Sequence, residues 1–171
     1  AKGLLKAAIR NDNPVIFLES RRIYGSKGPV PSGEVVLEIG QAVVCRPGHD
    51  PTIVATGQMV PMALSAAEKL SAEGVEAEVI DPQTLKPLDT NTILESVKRT
   101  SRLVVVNEGC RSCGYAAEIA ATIAELAFDY LDAPIERVTS RDVPMPVSKV
   151  LENEIVPREQ DLLDAARRTI S

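Results

Sequence analysis

The chain has 171 residues, 44% of them hydrophobic and 25% charged, with a net charge of −5; that is about one domain's worth of chain with enough apolar material for a core, which excludes disorder from low hydrophobicity. Mild acidity, no Trp, three Tyr and two Phe leave neither a cationic footprint nor stacking platforms, so no nucleic-acid partner is expected. No apolar run approaches the roughly 20 residues of a membrane helix. The opening AKGLLKAAIRNDNP is too charged for a signal peptide, and three cysteines argue against a disulfide framework, so no membrane partner and a cytoplasmic location are expected.

Leu4, Leu5, Ala8 and Ile9 recur at helical spacing until Asn13-Pro14 stops the pattern. Residues 15–18 are fully apolar and read as a buried strand. The stretch GSKGPVPSG, residues 25–33, reads as a linker. One helix and one strand cannot bury their apolar faces alone, so residues 1–24 are expected to be the tail of a truncated domain. Residues 34–39 and 41–46 read as strands joined at Gly40, and 52–56 as a β-rich run. Met59, Ala63, Ala66, Ala67 and Leu70 mark one face of a helix closed by Gly74. A strand at 76–80 follows, then a helix capped by Asp89 and running through Arg99, then a buried strand at 103–106. A helix from about 116 to 131 carries Ile119, Ala120, Ile123, Ala127 and Tyr130 inward. A strand at 135–138 and a helix at 157–170 complete the pattern. Alternating apolar strands and helices predict an α/β fold: a three-layer, doubly wound, mostly parallel sheet over residues 34–171.

Each chemically suggestive feature has a plain structural rival. Cys110 and Cys113 in GCRSCG lie between a strand and a helix, where amide dipoles lower a thiol pKa, so a dithiol redox or metal site is one reading. Loop-filling thiols are the other, and the remaining candidate ligands, Cys45 and His49, are far away in sequence. His49 lies in the turn composition PGHDP, which favours an exposed turn over acid–base work. Gly57 and Gly109 close strands as phosphate-cradling loops do, yet there is no G-x-G-x-x-G or Walker sequence, and turn geometry explains both. Glu108 ends a strand where open sheets place ligands; capping the Cys110 loop or pairing with Arg111 is the structural alternative. Arg21 and Arg22 could hold a phosphate or face the linker. Asp129, Asp132 and Glu136 form an acidic cluster around Pro134. No carboxylate pair, metal ligand set or nucleophile with a partner emerges, so an assembly or regulatory role is expected over free-standing catalysis.

The segments GLLKAAIRNDNPVIFLES, DPTIVATGQMV, AEVIDPQTLKPLDTNTILESVKRTSRLVVVNEG, GYAAEIAA and APIERVTSRDVPMP together resemble the beta subunit of the thiamine-diphosphate-dependent decarboxylating component of 2-oxo acid dehydrogenase complexes, of the pyruvate dehydrogenase type. The resemblance implies that residues 1–24 end a pyrimidine-binding domain and that 34–171 form a domain of the transketolase C-terminal type. It implies a heterotetramer with an alpha subunit and a second beta subunit, binding thiamine diphosphate and magnesium between them. The cofactor-activating glutamate belongs to the other half of the beta subunit. No catalytic, cofactor-binding or metal residue is therefore carried over, and no cofactor is expected on this chain alone. The resemblance also implies docking of the acyltransferase component through its basic peripheral-subunit-binding domain, with Asp132, Glu136 and the terminal carboxylate of Ser171 as the matching positions. Ser20-Arg21-Arg22 departs from the family pattern and keeps a transketolase-type sugar-phosphate transferase as the alternative; the cysteine pair is a second departure.

Overall fold

A computed structural model describes all 171 residues. Five strands form one sheet: β1 (Val43–Arg46), β2 (Thr52–Ala55), β3 (Glu78–Asp81), β4 (Leu103–Cys110) and β5 (Glu136–Ser140). Their order is β1-β3-β2-β4-β5. All neighbours are parallel except β1 and β3, so the mostly parallel sheet expected from the sequence is present. The helices are α1 (Lys2–Ile9), α2 (Met59–Ala72), α3 (Thr90–Thr100), α4 (Tyr115–Ala127), α5 (Lys149–Asn153) and α6 (Glu159–Ile170).

Strand alternation divides the core into two layers. Ile53, Ala55, Val79, Val104 and Val106 pack with Met59, Ala63, Ala66, Ala67 and Leu70 of α2 and with Leu162, Leu163, Ala165 and Ala166 of α6. Val54, Ile80, Leu103 and Val105 face the other way, onto Ile93 and Val97 of α3 and Ala116, Ile119 and Ile123 of α4. Helix α2 ends before Gly74, whose φ of +85° is left-handed backbone that a glycine adopts without a Cβ penalty. Asp89 caps α3 by accepting from the Thr92 amide at 3.1 Å, and it ties in β1 by accepting from the Ala42 amide at 2.9 Å.

Several boundaries differ from the sequence expectation. Residues 15–18 form no strand: no neighbouring strand satisfies their amides and carbonyls, and Ile16 is 87% exposed. Residues 34–39 likewise stay outside the sheet. They run beside α1 instead, where the Leu37 amide donates to the Gly3 carbonyl at 3.4 Å and a side chain at Gly3 would strike Leu37 at 2.6 Å. Helix α4 stops at Ala127, and Phe128–Tyr130 tighten into a 3₁₀ turn. Tyr130 therefore points outward rather than into the core, with the Lys98 ammonium 5.7 Å from its ring centroid, within cation–π range. Helix α5 was not expected from the sequence at all.

Candidate functional site

Ligands of open parallel sheets bind beyond the strand carboxyl ends, where successive helices leave for opposite faces. Here α2 leaves β2 toward one layer and α4 leaves the adjacent β4 toward the other, so the crevice opens between residues 56–58 and 107–109. The Asn107 amide nitrogen donates to Thr56 Oγ1 at 2.6 Å, and its oxygen accepts from the Gly109 amide at 2.7 Å. The Gln58 amide donates to the Glu108 carboxylate. Gly57, with φ +55°, makes the left-handed turn into α2, and a Cβ at Gly109 would lie 2.6 Å from Asn107 Oδ1. Turn and close approach account for both glycines. Glu108 thus neither caps the cysteine loop nor pairs with Arg111, because Gln58 holds it on the opposite wall.

This donor set is two carboxamides and one exposed carboxylate. It suits hydroxyl or amide partners and would repel a diphosphate. No three His, Cys, Asp or Glu side chains converge to hold a metal ion. The residues of this crevice do not fit thiamine diphosphate with magnesium.

Beyond Cys110 the chain reverses so tightly that a Cβ at Gly114 would fall 2.0 Å from the Cys110 carbonyl oxygen. The loop is tethered on both sides. Arg111 Nη1 donates to the Arg137 carbonyl at 3.0 Å and Arg137 Nη1 to the Arg111 carbonyl at 3.2 Å. Ser112 donates its amide (2.9 Å) and its hydroxyl (2.7 Å) to Asp142, and these bonds hold the Asp142 carboxyl below its usual range. Cys110 and Cys113 are both exposed, so they are not the apolar loop fillers that one reading expected. Cys45 lies on edge strand β1, and exposed His49 sits in the turn before β2 at the amino end of the sheet, its amide donating to the Glu76 carbonyl at 2.9 Å. The four candidate ligands are thus spread over three places.

Residues 40–162 match the family described as transketolase, C-terminal domain. The chain belongs to the transketolase C-terminal domain family. It is 48% identical over 167 residues to the pyruvate dehydrogenase E1 component subunit beta of Rickettsia felis, covering 98% of this chain and 51% of that protein. It is 48% identical over 172 residues to the mitochondrial subunit beta-1 of Arabidopsis thaliana, covering 98% and 47%. The chain spans about half the length of the curated relatives it matches. Among solved structures, a split-gene transketolase described as an inactive beta4 tetramer superposes with a TM-score of 0.70 at 30% identity, covering 84% of this chain and 45% of that one.

In this transketolase C-terminal domain the acidic positions singled out in the sequence are not equivalent. Asp132 is exposed in the turn before β5, its amide donating to the Ser101 carbonyl at 2.9 Å. Asp129 is exposed on the 3₁₀ turn. Glu136 is half-buried, and its carboxylate takes Nε and Nη2 of Arg168 at 3.2 and 2.9 Å. It is therefore already neutralised from α6, and the cluster is not uniformly free. Exposed Ser171 follows on the same helix end, its hydroxyl donating to the Arg168 carbonyl at 3.1 Å. Arg22 is ion-paired to Glu152 on α5, which leaves only Arg21 of that pair without a carboxylate.

Sequence reasoning missed a buried polar network at the opposite, amino end of the sheet. Thr52 Oγ1 lies 2.6 Å from Ser96 Oγ and 2.7 Å from Thr100 Oγ1, and Ser96 donates onward to Glu78. The signal was Glu78 placed just before the apolar pair Val79-Ile80 of β3, opposite hydroxyls at i and i+4 of α3.

Proposed function

We propose that this chain is the C-terminal part of the beta subunit of a thiamine-diphosphate-dependent 2-oxo acid dehydrogenase of the pyruvate type, serving assembly and docking and carrying none of the reacting groups. The observation that supports this most is 48% identity to pyruvate dehydrogenase E1 beta subunits across 98% of the chain. The enzyme as a whole would decarboxylate pyruvate or a related 2-oxo acid and pass the acyl group to a lipoyl arm. In this reading residues 1–24 complete a preceding pyrimidine-binding domain, 25–33 are its linker, and 34–171 form the C-terminal domain. Thiamine diphosphate and magnesium are assigned to the remainder of the assembled enzyme, consistent with the carboxylate and carboxamides at the crevice here. When bound there, the cofactor supplies the carbanion chemistry. The residues of this chain hold the sheet edge and the surfaces that partners meet.

The partners proposed are the alpha subunit, a second beta subunit, and the basic peripheral-subunit-binding domain of the acyltransferase. Asp132, Glu136 and Ser171 form the docking patch in this reading. Such charges speed encounter and fix orientation more than they add affinity. Because Arg168 already satisfies Glu136, exposed Asp132 carries the larger share. The test is titration of the docking domain onto the assembled enzyme carrying Asp132→Lys and Glu136→Lys, with Asp132→Lys alone as the milder variant. Affinity should fall at least about tenfold with a shallower salt dependence, while decarboxylation with an artificial electron acceptor is unchanged. Unaltered affinity and salt slope in both variants would remove these residues from the patch.

A further inference from the structure

Aromatic side chains are scarce here, two Phe and three Tyr, and Phe128 and Tyr130 both fall in the 3₁₀ turn that ends α4. Ala127, with φ −137° and ψ 20°, breaks the helical path at the last buried position of α4. The break turns Phe128 away from the core that Ile119, Ile123 and Ala127 enter, and leaves it 75% exposed. Tyr130 is 48% exposed, and the Lys98 ammonium already covers its ring. Phe128 has no such cover. A single exposed apolar side chain is ordinary; the charge beside this one is what gives it meaning.

The free charge at this end of α4 has one sign. Glu125, Asp129 and Asp132 are exposed, and none of them makes an ion pair within the chain. Lys98, the cation over Tyr130, is taken by Glu95 at 2.8 Å. The last turn of α4 carries no basic side chain, so the partial negative charge of its carbonyl end adds to the carboxylates instead of being offset. These features select the partner. A second copy of the chain meeting the same turn across a twofold axis would set three carboxylates against their own images. A cationic surface that offers an aliphatic side chain between Lys or Arg residues is complementary on both counts, with the phenyl ring as the dry centre and the charges as the wet rim.

We propose that Phe128 is the apolar anchor on which the basic docking domain seats, with Asp129 and Asp132 steering it into place. This rests on the docking reading given above and adds the residue that holds the partner once it has arrived. Rim charges act mainly on encounter, whereas a desolvated aromatic anchor acts on dissociation. The test is titration of the isolated docking domain onto the full-length assembled enzyme at several salt concentrations, comparing wild type with Phe128→Ala and Phe128→Leu. Phe128→Ala should weaken binding about tenfold or more through faster dissociation. It should keep the salt dependence of the wild type, because no charge is removed. Phe128→Leu should lose less, since an aliphatic side chain still fills part of the seat. Both variants should melt and sediment as the wild type does, because the ring is 75% exposed. Wild-type affinity in Phe128→Ala would overturn the proposal and leave the charged patch standing. Weaker binding together with a smaller assembly would also overturn it, placing Phe128 in a subunit contact. A wild-type enzyme that does not bind the docking domain would remove the docking reading itself, and the anchor with it.

Discussion

Nη2 of Arg99 lies 2.8 and 2.9 Å from the two carboxylate oxygens of Glu78, the one charged residue the fold buries. The pair is lopsided: the Glu78 side chain is 4% exposed and that of Arg99 57%. Removing the arginine strands a buried carboxylate, whereas removing the carboxylate leaves an arginine that water can solvate. Arg99→Ala should therefore cost about 2–3 kcal/mol, below the roughly 3–5 kcal/mol of a fully buried broken pair, because water already reaches the arginine. Glu78→Gln should cost about half as much or less. Urea unfolding of both variants measures the asymmetry, and equal losses would mean the pair is not desolvated.

Asp89 joins two elements through one carboxylate. Burial opposes its ionisation, but hydrogen bonds from the Ala42 amide and from the amide and hydroxyl of Thr92 outweigh it and lower its pKa. A depressed folded pKa gives stability that is present above the unfolded value of 3.8 and is lost as pH falls through the folded value. Asp89→Ala should cost about 1 kcal/mol or slightly more at neutral pH. The gap between variant and wild type should narrow as pH falls below 3.8, as thermal melts across the acid range will record.

Tyr115 gives the opposite sign at the alkaline end. Burial, with a smaller contribution from the Glu118 charge, pushes its phenol up to about 12, and its hydroxyl donates to the Leu85 carbonyl at 2.8 Å. A raised folded pKa gives stability that is complete below about pH 10 and lost as pH climbs toward 12. Tyr115→Phe should flatten the alkaline decline in stability over that window, measured by denaturant unfolding at a series of pH values.

Two apolar positions that the sequence marks as buried should respond very differently to truncation. Leu70, with no exposed surface, sits between α2 and the sheet, so Leu70→Ala should cost about 2–5 kcal/mol. Ile16 is 87% exposed, and Ile16→Ala should change stability by no more than about 0.5 kcal/mol. Chemical denaturation of the two variants side by side makes the comparison.

That contrast marks how far the fold could be read in advance. Continuous valine and isoleucine runs flanked by helical periods gave the three layers, the parallel sheet and the inward face of α2 correctly, because burial on both sides of a sheet writes itself into local pattern. Residues 15–18 have the same pattern and form no strand, since a strand also needs a neighbour that local sequence does not encode. At the crevice, the position of Glu108 followed from its place at the end of β4. Its partner Gln58 did not, because 50 residues separate them in the chain and only strand order brings them together. The Glu136–Arg168 and Glu78–Arg99 pairs were hidden for the same reason.

We propose that this chain supplies the assembly half of a thiamine-diphosphate-dependent 2-oxo acid dehydrogenase beta subunit. The most direct measurement is turnover of a reconstituted enzyme: the full-length beta subunit, with and without residues 34–171, is co-expressed with its alpha subunit and assayed for pyruvate decarboxylation with an artificial electron acceptor. Co-purification in an alpha–beta assembly, with activity that requires added thiamine diphosphate and magnesium and is lost together with assembly in the shortened subunit, is the expected result. An intact protein that assembles without an alpha subunit and transfers two-carbon units between sugar phosphates, or a shortened subunit that still assembles and turns over pyruvate, would contradict it.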